Sequence, residues 1–263
     1  MPIVDPNSHS SPVYNPTKNY QIVKYIDLTK FVSILQRESL FFCRLDKLED
    51  HFEGTLSKPT QKMVHDYFST QHLLSTNFKQ LSEEEVIENV KKYFDAQSKR
   101  KAIHTVCCWN KSNSESAALW KIYSDFNKGI MLISRVNSII ESFSETEESI
   151  DLSEVKYLDY NKEDMPLGNA IFPIIHKHEA YHYEEELRLI HTVEFENGFI
   201  YDWSIEEVEQ GKYLKVDLNK LIDKIVLSPY SPNWYFKLIE NLCETYGLET
   251  TIVKSELSKK NTK

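Results

Sequence analysis

The second half of the chain constrains the fold most, because short apolar segments follow one another there with only brief turns between them. Residues 186–194, 198–203 and 211–217 are rich in β-prone residues and are too short for helices. Strands joined by short turns pair antiparallel, whereas a doubly wound parallel sheet needs a helical crossover between strands. The first half alternates strands with helices. We therefore predict a mixed α+β fold with a mainly antiparallel sheet and flanking helices.

Apolar periodicity predicts the remaining elements. Between Pro59 and Lys101 the composition is helical and charged, and Ser82-x-x-Glu85 has the form of a capping box. A helical insertion is therefore expected at about 60–100. Further strands are predicted at 21–25, 40–44, 102–109, 129–134, 154–160, 223–228 and 250–254, and helices at 28–39, 114–126, 135–143, 165–182 and 232–247.

Length and local composition predict the domain organisation. The chain has 263 residues, which suffice for one substantial core, so residues 20–255 are predicted to form a single domain. Residues 1–19 contain four prolines and no periodicity, which predicts a flexible N-terminal arm. Residues 256–263 are predicted to be a disordered tail.

Charge and cysteine content narrow the function. A net charge of −9 weighs against a protein that coats nucleic acid. The four cysteines match neither a metal-binding spacing nor a disulfide framework, which indicates reduced thiols. Apolar runs stay well short of the ~20 residues that a membrane helix needs. We expect a cytoplasmic protein that binds a small molecule, with no membrane or metal partner; a macromolecular acceptor stays open.

One junction between a predicted strand and a predicted helix carries many polar and aromatic side chains. Ser112-x-x-Glu115 predicts a capping box at the start of the helix. Ser116, Trp120 and Tyr123 follow at i, i+4 and i+7, so they share one face. This face either binds a ligand or packs in the core with its polar atoms satisfied. The candidate ligand-binding residues here are Trp109, Glu115, Ser116 and Trp120, and Tyr123 is a candidate catalytic residue.

A second candidate region is the acidic segment that begins at Arg44. Arg44 follows the apolar residues 41–43, and a buried arginine without partners would be costly. Its forked donors suit a carboxylate or a diphosphate, which makes Arg44 a candidate catalytic residue. Asp50 and Glu53 are candidate ligand-binding acids. The alternative is a solvated loop whose acids cap a turn.

The third candidate region opens the predicted strand 186–194. Side chains alternate along a strand, so Glu184, Glu186 and Arg188 are predicted to share one face. Glu186 is then a candidate catalytic glutamate held by Arg188, with Glu184 beside it sharing charge or raising the Glu186 pKa. Glu184 and Arg188 are candidate ligand-binding residues. An ion-pair ladder on an edge strand is the alternative. Histidines at 176, 178 and 182 do not form H-E-x-x-H, so no metal site is predicted.

These motifs occur in a fixed order over residues 20 to 255. They are R-x-D-x-L-x-D-x-F-E-G over 44–54, Cys108-Trp109, Glu115-Ser116, Trp120 with Tyr123, Lys177, E-x-E-x-R over 184–188, Leu227-Ser228-Pro229 and Trp234. The set resembles a bacterial family of unknown function, the DUF family twenty-nine seventy-one. His51 stands where that family usually shows proline, and His178 where a second basic residue is common. The resemblance implies no particular reaction.

The order of an early arginine, a middle strand-and-helix element and a late glutamate is also similar to the ADP-ribosyltransferase layout. That similarity implies NAD, with Arg44 at the diphosphate, Tyr123 or Trp120 stacked on nicotinamide, and Glu186 at the ribose. Rossmann and P-loop motifs are missing from the sequence. We expect an NAD-using ADP-ribosyltransferase or glycohydrolase, a bacterial toxin or defence effector. The alternative is a non-enzymatic domain that binds a ligand or partner; a metal-independent nuclease is disfavoured by the acidic composition.

The enzyme hypothesis makes a geometric prediction. Side chains up to ~140 residues apart should line one cleft. Without a common pocket for Arg44, Trp120 and Glu186, this version of the hypothesis fails. The insertion at 60–100 should cover one side of the cleft. The residues expected to line it are Arg44, Ser116, Trp120, Tyr123, Glu186 and Arg188.

Overall fold

The computed structural model describes residues 13–70, 81–125, 127–193 and 200–258. Within these ranges, a mixed and mainly antiparallel sheet of nine strands is flanked by helices, which confirms the predicted α+β class. The strands are β1 Gln21–Ile26, β2 Ser39–Arg44, β3 His104–Lys111, β4 Ile130–Arg135, β5 Ile150–Glu154, β6 Lys156–Leu158, β7 His176–His178, β8 Glu186–Thr192, β9 Gly211–Lys215, β10 Lys224–Leu227 and β11 Thr251–Lys254. The α-helices are α1 Leu28–Arg37, α2 Lys58–Thr70, α3 Glu83–Lys101, α4 Ala117–Tyr123, α5 Val136–Ser142, α6 Phe172–Ile175, α7 Leu218–Leu221 and α8 Asn233–Thr245.

The sheet divides beside its central strand, β3. Its order is β11-β10-β4-β1-β3-β2-β9, and β8 pairs with both β3 and β5. β3 pairs with β1 through residues 110–111 and with β2 through residues 105–106, so β1 and β2 share one edge of β3. In the gap between them, Lys24 Nζ donates to the carbonyl oxygen of Cys108 at 2.7 Å. β6 and β7 form a separate parallel pair.

The two faces of the sheet carry different cores. The larger core lies against α1, α5, α7 and α8 and contains Trp109, Leu187 and Leu189. On the opposite face, α4 packs on one part of the sheet, and α6 packs on β3 and β8 through residues such as Ile174 and Ile190. Since Ile190 lies on this second face, the alternation of β8 places Arg188 there too.

The helical insertion contains α2 and α3, and its residues 71–80 lie outside the described residues. The predicted capping box is confirmed, because Ser82 and Glu85 each accept from the other's backbone N–H. Val64 of α2 packs with Leu56 and Tyr160. The insertion thus lies beside the loop that holds Glu53.

The capping box predicted at Ser112 and Glu115 is wrong. Ser112 Oγ donates instead to the carbonyl oxygen of Ser114. Ser116 caps α4 by accepting from the backbone N–H of Leu119 at 3.3 Å. The helix therefore begins at Ala117, three residues later than the predicted start at 114, because Ser112 is used in the preceding turn.

The helix predicted at 165–182 is also wrong. This segment contains α6, then β7, then a 3-10 helix at Glu179–Glu184. Pro166, Gly168 and Pro173 restrict continuous helix in its first half. The strand predicted at 198–203 falls partly outside the described residues, and Trp203–Ile205 is a 3-10 helix.

Of the predicted N-terminal arm, residues 1–12 lie outside the described residues. The next residues lie against the domain. The backbone N–H of Tyr14 donates to Ser153 Oγ at 3.0 Å, and its carbonyl oxygen accepts from the N–H of Glu154 at 2.8 Å. In the described ranges, no helix combines the length and apolar character needed to cross a bilayer.

Candidate functional site

Charged side chains are buried together on the second face of the sheet, and we name them the charged cluster. Each of them is at most 6% exposed. The cluster has three carboxylates and two cations, so one negative charge lacks a compensating positive charge if every group is ionised. Its members are Glu53, Lys177, Glu184, Glu186 and Arg188.

Separate elements bring these residues together. Arg188 and Glu186 lie on β8, and Lys177 lies on β7. Glu184 ends the 3-10 helix just before β8, and Glu185 makes the connection with a φ of 41°. Glu53 comes from the loop after β2. There Gly54 has a φ of 66°, and a Cβ at this position would lie 2.6 Å from a side-chain atom of Leu45. Glycine thus permits the close turn beside Glu53.

Arg188 is fully buried, and its hydrogen bonds go to two carboxylates and one backbone carbonyl. Its Nη1 and Nη2 donate to the two oxygens of Glu53 at 2.8 and 2.6 Å, and its Nε donates to Glu186 Oε2 at 2.6 Å. Nη1 also donates to the carbonyl oxygen of Ile174, at the end of α6, at 2.7 Å. The bidentate contact with Glu53 fixes the orientation of the guanidinium.

Lys177 joins the three carboxylates. Its Nζ donates to Glu184 Oε2 at 2.6 Å and to Glu186 Oε1 at 2.5 Å, and it lies 3.4 Å from Glu53 Oε1. The ring of Tyr181 covers the ammonium, with 4.5 Å between Nζ and the ring centroid. The ammonium is thus shielded from water on that side.

Glu184 connects the charged cluster to a cleft of about 290 Å³. The cleft lies between the start of β1, the end of β3, the start of α4 and residues 183–185. Tyr123 Oη donates to Glu184 Oε1. Asn110 Nδ2 donates to the backbone carbonyl oxygen of Glu184 at 2.8 Å. Glu184 is therefore the member of the charged cluster that lines the cleft, although its side chain is only 1% exposed.

The two glutamates of β8 and its preceding turn have pKa values displaced in opposite directions. Burial raises the pKa of Glu184 to about 7, and the hydrogen bond and charge of Glu186 add to this, while Lys177 opposes it. Burial also acts to raise the pKa of Glu186, but Arg188, the hydrogen bond from Glu184 and Lys177 together hold it well below the usual value. One carboxyl thus exchanges a proton near neutral pH beside a second that stays ionised.

Several of the predicted site residues meet in this region. Glu53, Glu184, Glu186 and Arg188 belong to the charged cluster, and Tyr123 contacts it through its hydroxyl. Ser116 lines the cleft, although its Oγ is used to cap α4.

Arg44 lies elsewhere. It donates to Asp46 and to the carbonyl oxygen of Glu209, and its guanidinium stacks on Trp203 at 4.8 Å. In β3, Thr105 pairs with Arg44 and Asn110 pairs with Glu186, a separation of ~17 Å along the strand. The prediction that Arg44 and Glu186 meet in one pocket is therefore wrong.

The tryptophans of the strand–helix junction are both in cores. Trp109 is fully buried in the larger core, and among the described residues its indole N–H has no hydrogen-bond partner. Trp120 is 3% exposed, packs edge-on against Tyr25 at 4.9 Å and donates to Glu115 Oε2 at 2.9 Å. The prediction that Trp120 lines the cleft is therefore wrong, because its amphipathic position is used to attach α4 to the sheet.

Two predicted acidic ligands hold local structure. Glu115 accepts from Trp120, from Ser255 Oγ and from the backbone N–H of Glu256, so it attaches the segment after β11 to the start of α4. Asp50 Oδ1 accepts from the backbone N–H of Phe52 at 2.9 Å, which stabilises the turn before Glu53.

Lys177 was not among the predicted site residues, although it belongs to the motif set quoted above. A lysine between the apolar residues 171–175 and an acidic segment was the available signal. Its three carboxylate contacts depend on how β7 packs beside β8, which a sequence pattern does not specify. Among the described residues, no three His, Cys, Asp or Glu side chains are arranged to hold a metal ion.

No family model matches the chain, so the resemblance to the DUF family stays a prediction. No curated protein sequence matches it either. Two similar solved structures are DarT from Thermus sp. 2.9 in complex with NAD+ and in complex with carba-NAD+. The first is 7% identical with a TM-score of 0.39 and covers 93% of this chain and 99% of that chain. The second is 8% identical with a TM-score of 0.36 and covers 92% and 98%. Both TM-scores are below 0.5.

Proposed function

We propose that the chain is an enzyme that cleaves the N-glycosidic bond of NAD and transfers the ADP-ribosyl group to water or to a macromolecular acceptor. The observation that supports this is the pair of Glu184 and Glu186 beside a cleft, with their pKa values displaced in opposite directions. Arg44 and Trp120 have no role in this reaction, because Arg44 lies away from the cleft and Trp120 is buried. A role as a bacterial toxin or defence effector stays a prediction.

The two carboxyl groups suit the two requirements of this reaction. Nicotinamide leaves with the electron pair of the C1′–N1 bond and becomes neutral, so no acid is needed to protonate it. Positive charge develops on the ribose, and the ionised Glu186, which lies next to Glu184 but does not line the cleft, stabilises it through space. Glu184 accepts the proton of the attacking water or acceptor hydroxyl as the new bond to C1′ forms.

The size of the cleft indicates that it holds only one half of the NAD molecule. Ligand pockets usually measure ~300–1,000 Å³, and this cleft of about 290 Å³ lies at the lower limit. Because Glu184 lines this cleft, we place the nicotinamide riboside end of NAD there. Lys111 lines the cleft with a side chain that is 45% exposed, and it is the cation we assign to the diphosphate in place of Arg44.

The proposal is tested by nicotinamide release from NAD, with protein and nucleic-acid acceptors supplied in turn. Glu186→Gln removes the charge and keeps the shape, so the rate should fall ~10²-fold or more. The matched control is Glu148→Gln, because Glu148, like Glu186, contacts two basic side chains, here His191 and Lys212, but lies outside the charged cluster. That variant should keep its rate. A wild-type protein that releases no nicotinamide with any acceptor would contradict the proposal.

The second candidate is a domain that binds a ligand without transforming it. It is favoured by the contacts within the charged cluster, in which the buried cations and carboxylates pair with one another. Trp120 does not stack on the ligand in this candidate, because it is buried between α4 and the sheet. Calorimetry separates the two: a binding domain shows heat of NAD binding, weakened by Lys111→Ala, and releases no nicotinamide.

A further inference from the structure

Lys177 contacts all three carboxylates of the charged cluster, and no sequence pattern predicted these contacts. Its ammonium is within 2.6 Å of Glu184 and within 2.5 Å of Glu186, and Glu53 completes its surroundings at 3.4 Å. The carboxylates of Glu184 and Glu186 therefore lie within two hydrogen-bond lengths of each other. Two adjacent acids repel each other when both are ionised, so a group must hold them in this position.

We propose that Lys177 is a positioning residue, whose ammonium holds Glu184 and Glu186 side by side at the cleft. Its meaning for catalysis rests on the proposed function, whereas the positioning itself does not. Lys177 lies on β7, which pairs with β6 and not with β8, so the contact is made through the side chain alone. Backbone hydrogen bonds to β7 therefore do not hold either carboxylate in position.

The chemistry of lysine suits this position. An ammonium is compact and has three donors arranged tetrahedrally, which matches three carboxylates that approach from different elements. A planar guanidinium directs its donors in one plane and is already used by Arg188 for Glu53 and Glu186. The two cations therefore have different roles. Arg188 holds Glu53 beside Glu186, and Lys177 holds Glu186 beside Glu184.

The electrostatic surroundings support the same assignment. Burial acts to lower the pKa of Lys177, but the charges of Glu186 and Glu53 outweigh it and raise that pKa above its usual value, so the ammonium stays charged. Without it, the charged cluster would contain three carboxylates and one cation. Besides the charged cluster itself, the titratable groups that face Lys177 or its partners include Lys101, Cys108, Tyr123, Tyr157, Tyr160, Tyr181 and Tyr183.

The test is the titration of the Glu184 carboxyl, followed by its side-chain ¹³C signal and assigned with Glu184→Gln. In the wild type the midpoint should lie near pH 7. In Lys177→Met it should fall toward the usual 4.5, because Glu184 moves away from Glu186, whose hydrogen bond and charge raise its pKa. A rise would show that the two carboxylates stay side by side without Lys177, and it would overturn the proposal. The control is Lys212→Met, since Lys212 also lies between two carboxylates, Glu148 and Glu206, at 2.8 and 3.8 Å. That variant should leave the midpoint unchanged.

A second measurement covers a Lys177→Met protein that does not fold. In the wild type, the side-chain ¹⁵N signal of Lys177 should move at the same pH as the Glu184 carboxyl signal, because the two groups are hydrogen-bonded. An unchanged Glu184 midpoint in a folded Lys177→Met protein, or a Lys177 signal that ignores the titration of Glu184, would overturn the proposal. Neither measurement uses NAD, so a failure of nicotinamide release overturns the proposed function and leaves this result standing.

Discussion

The two faces of β8 bury alternate residues in opposite environments. Leu187 and Leu189 lie in the larger apolar core, whereas Glu186 and Arg188 lie in the charged cluster, and all four are at most 5% exposed. Burial of apolar side chains stabilises the fold, and substitutions that conserve the volume of a buried side chain cost little stability. A buried ion pair is weak evidence for stability, because desolvation offsets most of the attraction. One strand thus contributes stability on one face and a fixed arrangement of charges on the other.

The largest effect should come from breaking the charged face. Arg188→Met should lower the free energy of unfolding by ~3–5 kcal/mol, because Glu53 and Glu186 remain buried without their shared cation. Urea denaturation at pH 7 measures the loss. The matched change on the apolar face is Leu189→Met, which conserves volume and should cost less than ~1.5 kcal/mol. If the two substitutions cost the same, the two faces do not differ as described.

A smaller and pH-dependent effect should distinguish Glu184. Its folded-state pKa of about 7 lies above the usual 4.5, so between these values the folded protein holds a proton that the unfolded chain has lost. The wild type should therefore lose stability as pH rises through this window. The free energy of unfolding of Glu184→Gln should therefore increase relative to that of the wild type as pH rises. The increase should be up to ~1.4 kcal/mol for each pH unit in this window.

The control for this prediction has the opposite sign. Hydrogen bonds from Lys212 and His191 outweigh burial and hold the pKa of Glu148 below its usual value. The stability that ionised Glu148 contributes is fully present above its unfolded-state pKa and is lost as pH falls through its folded-state pKa. Glu148→Gln should therefore differ from the wild type in stability above that window and converge with it in acid. A stability difference for Glu184→Gln that does not change with pH would contradict the assignment.

The smallest effect should follow from Arg44→Ala. Its contacts with Asp46 and Trp203 are partly exposed, so the loss should be ~1 kcal/mol in the free energy of unfolding. Nicotinamide release should stay within ~3-fold of the wild type, because Arg44 lies ~17 Å along β3 from the position of Glu186. A loss of ~10²-fold would show that Arg44 reaches the reacting groups.

The sequence predicts those parts of the site that depend on local geometry. Strand alternation correctly places Glu186 and Arg188 on one face, and the spacing of Ser82 and Glu85 correctly gives a capping box. It does not predict the partners of Arg44, because Trp203 and Glu209 come from a distant segment.

The contacts of Lys177 are likewise not predictable from the sequence. A lysine in a short strand carries no periodic signal, and its contacts exist because β7 packs beside the start of β8. Trp120 is a further case, since a helical stripe of aromatic residues is the same whether it faces a ligand or a sheet. Local spacing thus identifies which residues share a face, and tertiary packing decides what that face contacts.

The central claim is that Glu184 exchanges a proton near neutral pH while Glu186 stays ionised, and the pH dependence of nicotinamide release tests it most directly. The wild-type rate should rise with pH, with an inflection near 7, and then level off as Glu184 becomes fully ionised. Glu184→Gln should be slower, and its rate should lack this inflection. An inflection that persists unchanged in Glu184→Gln would contradict the account.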